Sequence, residues 1–213
     1  MESSFVYNKP VTGKYNIGRR QDAQILANFI AQGECISIYE PPKTGKRSLV
    51  QQTFFNMRVS SQKFTPIQIS VLNIRTIADL MMRLGGEVIK ALSRSPEGYP
   101  EAVARFLEGT HFVFDPAVYS AKEQVLSLTW DIDDADIRAV LLLPYRMASA
   151  TGQKAVVVIE EFQNVMLTED GDKVCAIFHN ILEELPPEQR RFCSYILMGS
   201  QVNAMKDIFE VRK

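Results

Sequence analysis

Directly after the apolar run Cys35 to Tyr39 comes Glu40-Pro-Pro-Lys-Thr-Gly-Lys-Arg-Ser48, and a helical pattern carrying Leu49, Val50, Phe54 and Met57 covers Lys46 to Arg58. A strand, a glycine-lysine turn and a helix in immediate succession constrain the fold more than any other stretch of the chain. Backbone N–H groups collect at the start of such a helix, and its dipole adds positive potential there, so the turn suits an anion. The intact pattern is Gly, any four residues, Gly, Lys, then Ser or Thr. Gly45 and Lys46 keep it, whereas Glu40 stands in place of the first glycine and Arg47 in place of the hydroxyl residue. Lys43, Thr44, Gly45, Lys46, Arg47 and Ser48 are therefore the candidate phosphate-binding residues, with Lys46 reaching the β- and γ-phosphates. The competing reading is a solvated basic turn.

The strongest strand pattern is Ala155-Val-Val-Val-Ile159, and it ends in Glu160-Glu161. Continuous apolarity marks a strand covered on both faces, and a terminal acid pair is the arrangement called Walker B. Glu160 is then expected to hold Mg²⁺ through water, and Glu161 to orient and polarise an attacking water. Otherwise the pair is an acidic, solvated turn. A further strand, Ser194 to Met198, leads into Gly199-Ser-Gln-Val-Asn203. Ser200 is the first candidate there for sensing a γ-phosphate, ahead of Gln201 and Asn203, although such a cluster is also ordinary loop chemistry.

In this order the three elements resemble the AAA-like ATPases of the prokaryotic STAND type, especially the archaeal-type ATP-binding group. The segment Lys9 to Arg19, ending Ile17-Gly18-Arg19, is similar to that family's opening segment, and Gly199 to Phe209 to its sensor strand and following helix. The resemblance implies a three-layer α/β P-loop NTPase fold, with a mostly parallel sheet in the order 5-1-4-3-2 between helices. It implies ATP or ADP and Mg²⁺ as cofactors, with Ile17, Gly18 and Arg19 bordering the base. It also implies a fifth strand and a C-terminal lid, for which no equivalents precede Lys213; a longer chain or a partner would complete the site. The expected role is a nucleotide-dependent regulatory switch. The alternative is a degenerate scaffold or protein-interaction module with weak nucleotide binding and no hydrolysis.

The departures weigh on hydrolysis. A guanidinium at position 47 cannot give Mg²⁺ the hydroxyl ligand that Ser or Thr supplies, and Ser48 sits about 100° further round the helix. Arg47 either supplies positive charge for metal-free phosphate binding or is an exposed arginine opposed by the dipole. Glu40 either turns away, pairing with Lys43, or points inward and opposes phosphate.

The remaining chain reads as one P-loop domain: residues 1–33 an adenine-side segment and helix, 34–92 the glycine-lysine half, 93–152 a helical insertion, and 153–213 the acidic and sensor half. Helices are expected over Arg20 to Gln32, Thr76 to Leu92, Glu101 to Leu107, Asp172 to Leu185 and Val202 to Phe209. Pro66 to Val71 is expected as a strand, and a kink at Pro144. A net charge of −1 gives no global field for nucleic acid or an anionic membrane. No apolar run approaches the roughly 20 residues of a membrane span, and the N-terminus has no signal-peptide pattern. Cys35, Cys175 and Cys193 are expected as buried, reduced thiols of a cytoplasmic protein, without zinc-site spacing. Protein partners and a homo-oligomer are compatible with this reading. Asp131, Asp133, Asp134 and Asp136 fit helix capping better than a calcium loop. His111 and His179 have no ligand-spaced partner, and His179 no evident acid.

Overall fold

A computed structural model describes residues 10–13 and 18–211, so Ile17 lies outside the described residues. Four parallel strands form the central sheet: β1 (Ile36–Tyr39), β2 (Thr65–Ser70), β5 (Ala155–Glu160) and β6 (Cys193–Gly199), in the order β1-β6-β5-β2. Counting only these four, that is 1-4-3-2, the order expected for the strands present. Val156, Val158, Ile196 and Met198 face α1 (Arg20–Gln32) and α2 (Lys46–Val59), where they bury Leu26, Ile30, Val50 and Phe54. The alternate residues, Val157, Ile159, Tyr195 and Leu197, face α3 (Ile77–Leu92) and the helices beyond it. Both faces are covered, which is why β5 and β6 carry no polar alternation. Each fully buried Val, Leu or Ile there contributes about 1.5–3 kcal/mol relative to exposure.

Residues 93–152 hold more than helices. After α4 (Tyr99–Phe106) come β3 (Phe112–Val113), α5 (Pro116–Lys122) and β4 (Ser127–Leu128), with β3 and β4 paired antiparallel. Two-residue strands are too short for any periodicity to announce them. Next comes α6 (Asp134–Thr151), which continues through Pro144. Proline removes one N–H and crowds the preceding turn. The Tyr195 hydroxyl donates to the carbonyl of Leu141 in that turn at 2.8 Å. Downstream are α7 (Gly171–Glu184), α8 (Pro187–Arg190) and α9 (Val202–Lys206), and α9 runs into a single π turn, Asp207–Val211. Among the described residues, no helix is long and apolar enough to cross a membrane.

The aspartates before α6 do cap it. Asp133 accepts from the Asp136 N–H at 2.9 Å, and Asp136 accepts from the Asp133 N–H at 3.0 Å, a reciprocal capping box. The buried Asp136 carboxylate also takes the His111 N–H at 2.8 Å and its Nδ1 at 2.9 Å. His111 thus has an acid partner that sequence spacing did not reveal, because β3 brings it there from 25 residues away. His179 likewise has an acid, Glu183, at 3.3 Å on the exposed face of α7.

The Asp136 hydrogen bond raises the His111 pKa above its ordinary 6.5. A raised folded-state value means that the stabilisation is full below pH 6.5 and is lost as pH rises through the higher folded value. Denaturation midpoints are therefore expected to fall on going from pH 6 to pH 9, with His111→Gln flattening that dependence. An unchanged slope in the variant would remove His111 as its source.

Candidate functional site

The parallel register places the carboxyl ends of the strands together. Tyr39 lies opposite Gly199, and Glu160 opposite both Met198 and Ser70. The loops leaving β1, β5 and β6 therefore converge, and ligands of open α/β sheets bind at such an edge. A cleft of about 700 Å³ lies there, lined by Lys43 to Ser48 and by Glu160, Glu161 and Ser200. The geometry thus gathers the loop candidates Lys43 to Ser48, the acid pair and Ser200, while Gln201 and Asn203 lie outside the lining. Gly18 and Arg19 lie in the segment leading to α1, outside the lining of this cleft.

The loop takes its shape from two left-handed residues, Lys43 (φ 65°) and Gly45 (φ 90°). Gly45 caps α2 without a side-chain hydrogen bond to the first-turn amides. Those amides are the donors that an anion would use. Lys46 is only 9% exposed, and its Nζ donates to the Glu40 carbonyl at 2.6 Å and the Pro41 carbonyl at 2.8 Å. Burial lowers the ammonium's pKa, while Glu161 and Glu40 oppose that shift.

Glu40 turns away from the cleft, but its partner is Arg19 and not Lys43. Arg19 Nη2 meets Glu40 Oε1 at 2.6 Å, and Nη1 meets Oε2 at 3.2 Å. This fork-to-fork geometry pulls the Glu40 carboxyl below its ordinary range. Arg19 also binds Asp22 Oδ2 at 2.9 Å and approaches the Thr44 carbonyl at 3.5 Å. The glutamate in place of the first glycine thereby ties the loop to the start of α1.

On the opposite wall, Glu161 takes φ 56°. Its Oε2 accepts from the Ser200 hydroxyl at 2.5 Å and from Gln163 Nε2 at 2.8 Å. Burial pushes the Glu161 carboxyl up, but these two donors together with Lys46 and Arg47 leave its pKa below the ordinary value. It is an ionised acceptor held in one orientation. Gln163 was not among the sequence candidates. It sits on the 3₁₀ turn Phe162–Leu167, and its Oε1 is buried with no hydrogen-bond partner among the described residues. In the sequence its only mark is a glutamine two positions after the acid pair.

Arg47 and Glu160 form an ion pair across the cleft, with Arg47 Nη2 on Glu160 Oε2. The fold would suggest Mg²⁺ here, but the donor set does not fit it. The carboxylate that would hold the ion carries a guanidinium, and the residue that should offer a hydroxyl is that same arginine. The Ser48 hydroxyl is engaged elsewhere, accepting the Val11 N–H at 3.2 Å.

A four-stranded parallel order of this kind, with a glycine-lysine turn after its first strand, defines a P-loop ATPase fold. Solved structures share it at low identity. A Walker-type ATPase of Pyrococcus abyssi superposes with a TM-score of 0.56 at 16% identity, over 97% of this chain and 52% of its own. The ORC2 protein of Aeropyrum pernix, solved in ADPNP–ADP complexes, gives 0.58 at 14% identity, over 97% and 47%. The ORC1 protein of the same organism, solved in complex with DNA, gives 0.51 at 13% identity, over 91% and 41%. The chain thus spans roughly half the length of these proteins or less. No protein-family pattern and no curated protein sequence matches it.

Proposed function

We propose that the chain is a nucleotide-binding domain on the P-loop ATPase fold, acting as a ligand-dependent switch. One observation carries this reading. Lys46, at the uncapped start of α2, holds two loop carbonyls on a cleft whose far wall bears Glu161 and Ser200. A nucleotide's β- and γ-phosphates would take over the ammonium and the first-turn amides, releasing the carbonyls of Glu40 and Pro41. Because Glu40 is tied to Arg19, that release would reach the segment in which Gly18 and Arg19 would border the base. The Ser200 hydroxyl would move from Glu161 to the γ-phosphate, freeing Glu161 to orient water. The surfaces that respond would belong to another protein, to further chain or to a second copy. The finer assignment to a prokaryotic STAND-type ATPase rests on the motifs at Ile17 to Arg19 and Gly199 to Phe209. Three free cysteines suit a reducing cytoplasm. Balanced charge favours a nucleotide over a nucleic acid, although one structural neighbour was solved with DNA.

A second reading, binding without useful hydrolysis, is favoured by the Arg47–Glu160 pair. Thermal unfolding tests the shared part. At a ligand concentration 100 times Kd, ATP or ADP is expected to add about 2.7 kcal/mol, or roughly 5–10 °C in Tm for a domain of this size. No shift with either nucleotide would end the proposal. Steady phosphate release that is lost in Glu161→Gln would favour the first reading, and its absence the second.

A further inference from the structure

We propose that Arg47 stands in for the divalent cation, so that this cleft binds nucleotide phosphate without metal. The inference rests on the nucleotide reading above and deepens it. Arg47 is the second residue of α2, and its side chain is 61% exposed while Glu160 is 15% exposed. The guanidinium therefore lies over the carboxylate on the solvent side, at the mouth of the cleft. It has five N–H donors in a planar fork, and the contact with Glu160 uses Nη2. The remaining edge can meet phosphate oxygens in the bidentate manner that suits arginine. A cation that touches an acid on one side and phosphate on the other does the bridging work that Mg²⁺ does in intact sites.

Charge points the same way. The ionisable side chains lining the cleft are Lys43, Lys46 and Arg47 against Glu160 and Glu161, three positive and two negative, a sum of +1. Such a site attracts a polyphosphate unaided and repels a divalent cation. The same ion pair borders a second, smaller cavity lined by Gln51, Gln68, Ser70 and Arg83. Arg83 adds a further positive charge to that cavity.

The role of Glu160 is thereby reversed. In a magnesium site its carboxylate helps to hold the nucleotide. Here it competes with phosphate for Arg47, so removing its charge should tighten binding.

Equilibrium titration of the purified chain with ATP, in EDTA and in excess Mg²⁺, tests this with Arg47→Thr, Glu160→Gln and Lys46→Ala alongside. The wild type is expected to bind equally in both buffers, within about threefold. Arg47→Thr should lose about tenfold or more in EDTA, the size of one charge-assisted contact, and recover with Mg²⁺. Glu160→Gln, which keeps the shape of the side chain, should bind several-fold tighter in EDTA (roughly one weakened competing ion pair). If the wild type needs Mg²⁺ while Lys46→Ala abolishes Mg-ATP binding, the nucleotide site stands and the role of Arg47 is overturned. Unchanged affinity of Arg47→Thr in EDTA, or weaker binding by Glu160→Gln, overturns it equally. If ATP binds in neither buffer, the nucleotide reading fails and takes this inference with it.

Discussion

Lys46→Ala is expected to weaken ATP binding by about 100-fold or more, with little change in the stability of the free domain. The ammonium would reach both the β- and γ-phosphates, and each hydrogen bond to a charged group is worth about 1.5–3 kcal/mol. Two such contacts correspond to about 3–4 kcal/mol after desolvation, which gives the expected loss in affinity. Folding tells a different story. In the free domain Lys46 satisfies only the carbonyls of Glu40 and Pro41, on a loop that faces the cleft. Removing it exposes those oxygens to water and also relieves the burial that lowers its pKa. The two effects oppose each other, so the net change is expected within about 1 kcal/mol. Calorimetric titration and urea denaturation of the same preparation separate the readouts. Lys46→Arg should not restore binding, because a planar fork cannot fill the space of a compact ammonium that is 9% exposed. A loss below about threefold, with the fold intact, would place the phosphates elsewhere.

The apolar runs at 155–159 and 194–198 identify β5 and β6 because both strands are covered on both faces, and the loop at 40–48 falls between a strand and a helix as expected. Thr76 and Asp133 act as helix caps through local geometry, within three residues of their partners. What could not be read depends on register between distant segments. Arg47 and Glu160 are 113 residues apart, and only the β1-β6-β5 order brings their loops together. The partner expected for Glu40 was its neighbour Lys43. The left-handed turn at Lys43 instead accompanies a pairing with Arg19, 21 residues earlier. Gln163 was missed because its value lies in its contact with Glu161, and that contact depends on the left-handed backbone of Glu161 itself. The positive charge at position 47 was visible in the sequence, but not that it neutralises the acid expected to hold magnesium.

Gly33→Ala should destabilise the domain by about 3 kcal/mol without changing its affinity for nucleotide. Two penalties add at this position. Gly33 ends α1 in the left-handed region at φ 81°, with its N–H on the Ile30 carbonyl at 3.1 Å and the next N–H, from Glu34, on the Phe29 carbonyl at 3.1 Å. This is the paired closure of a Schellman motif, in which an L-residue costs about 1–2 kcal/mol. Packing adds the rest. A Cβ at Gly33 would lie 2.6 Å from the carbonyl carbon of Arg190 and 2.8 Å from the Cα of Arg191. Those are backbone atoms at the end of α8, leading into β6, so no rotamer change relieves the clash and α1 must move away from the sheet. Gly33→Asn separates the two terms, since asparagine tolerates the left-handed region but still carries a Cβ. It should recover the conformational part and retain the steric one, leaving a loss of about 2 kcal/mol. On the scale for domains of this size, Gly33→Ala lowers Tm by roughly 6–12 °C. Equal, small losses for both variants would mean that α1 does not pack against the 190–191 backbone. ATP affinity well below Tm should match the wild type, because Gly33 precedes β1 and lies at the end of the sheet opposite Lys46.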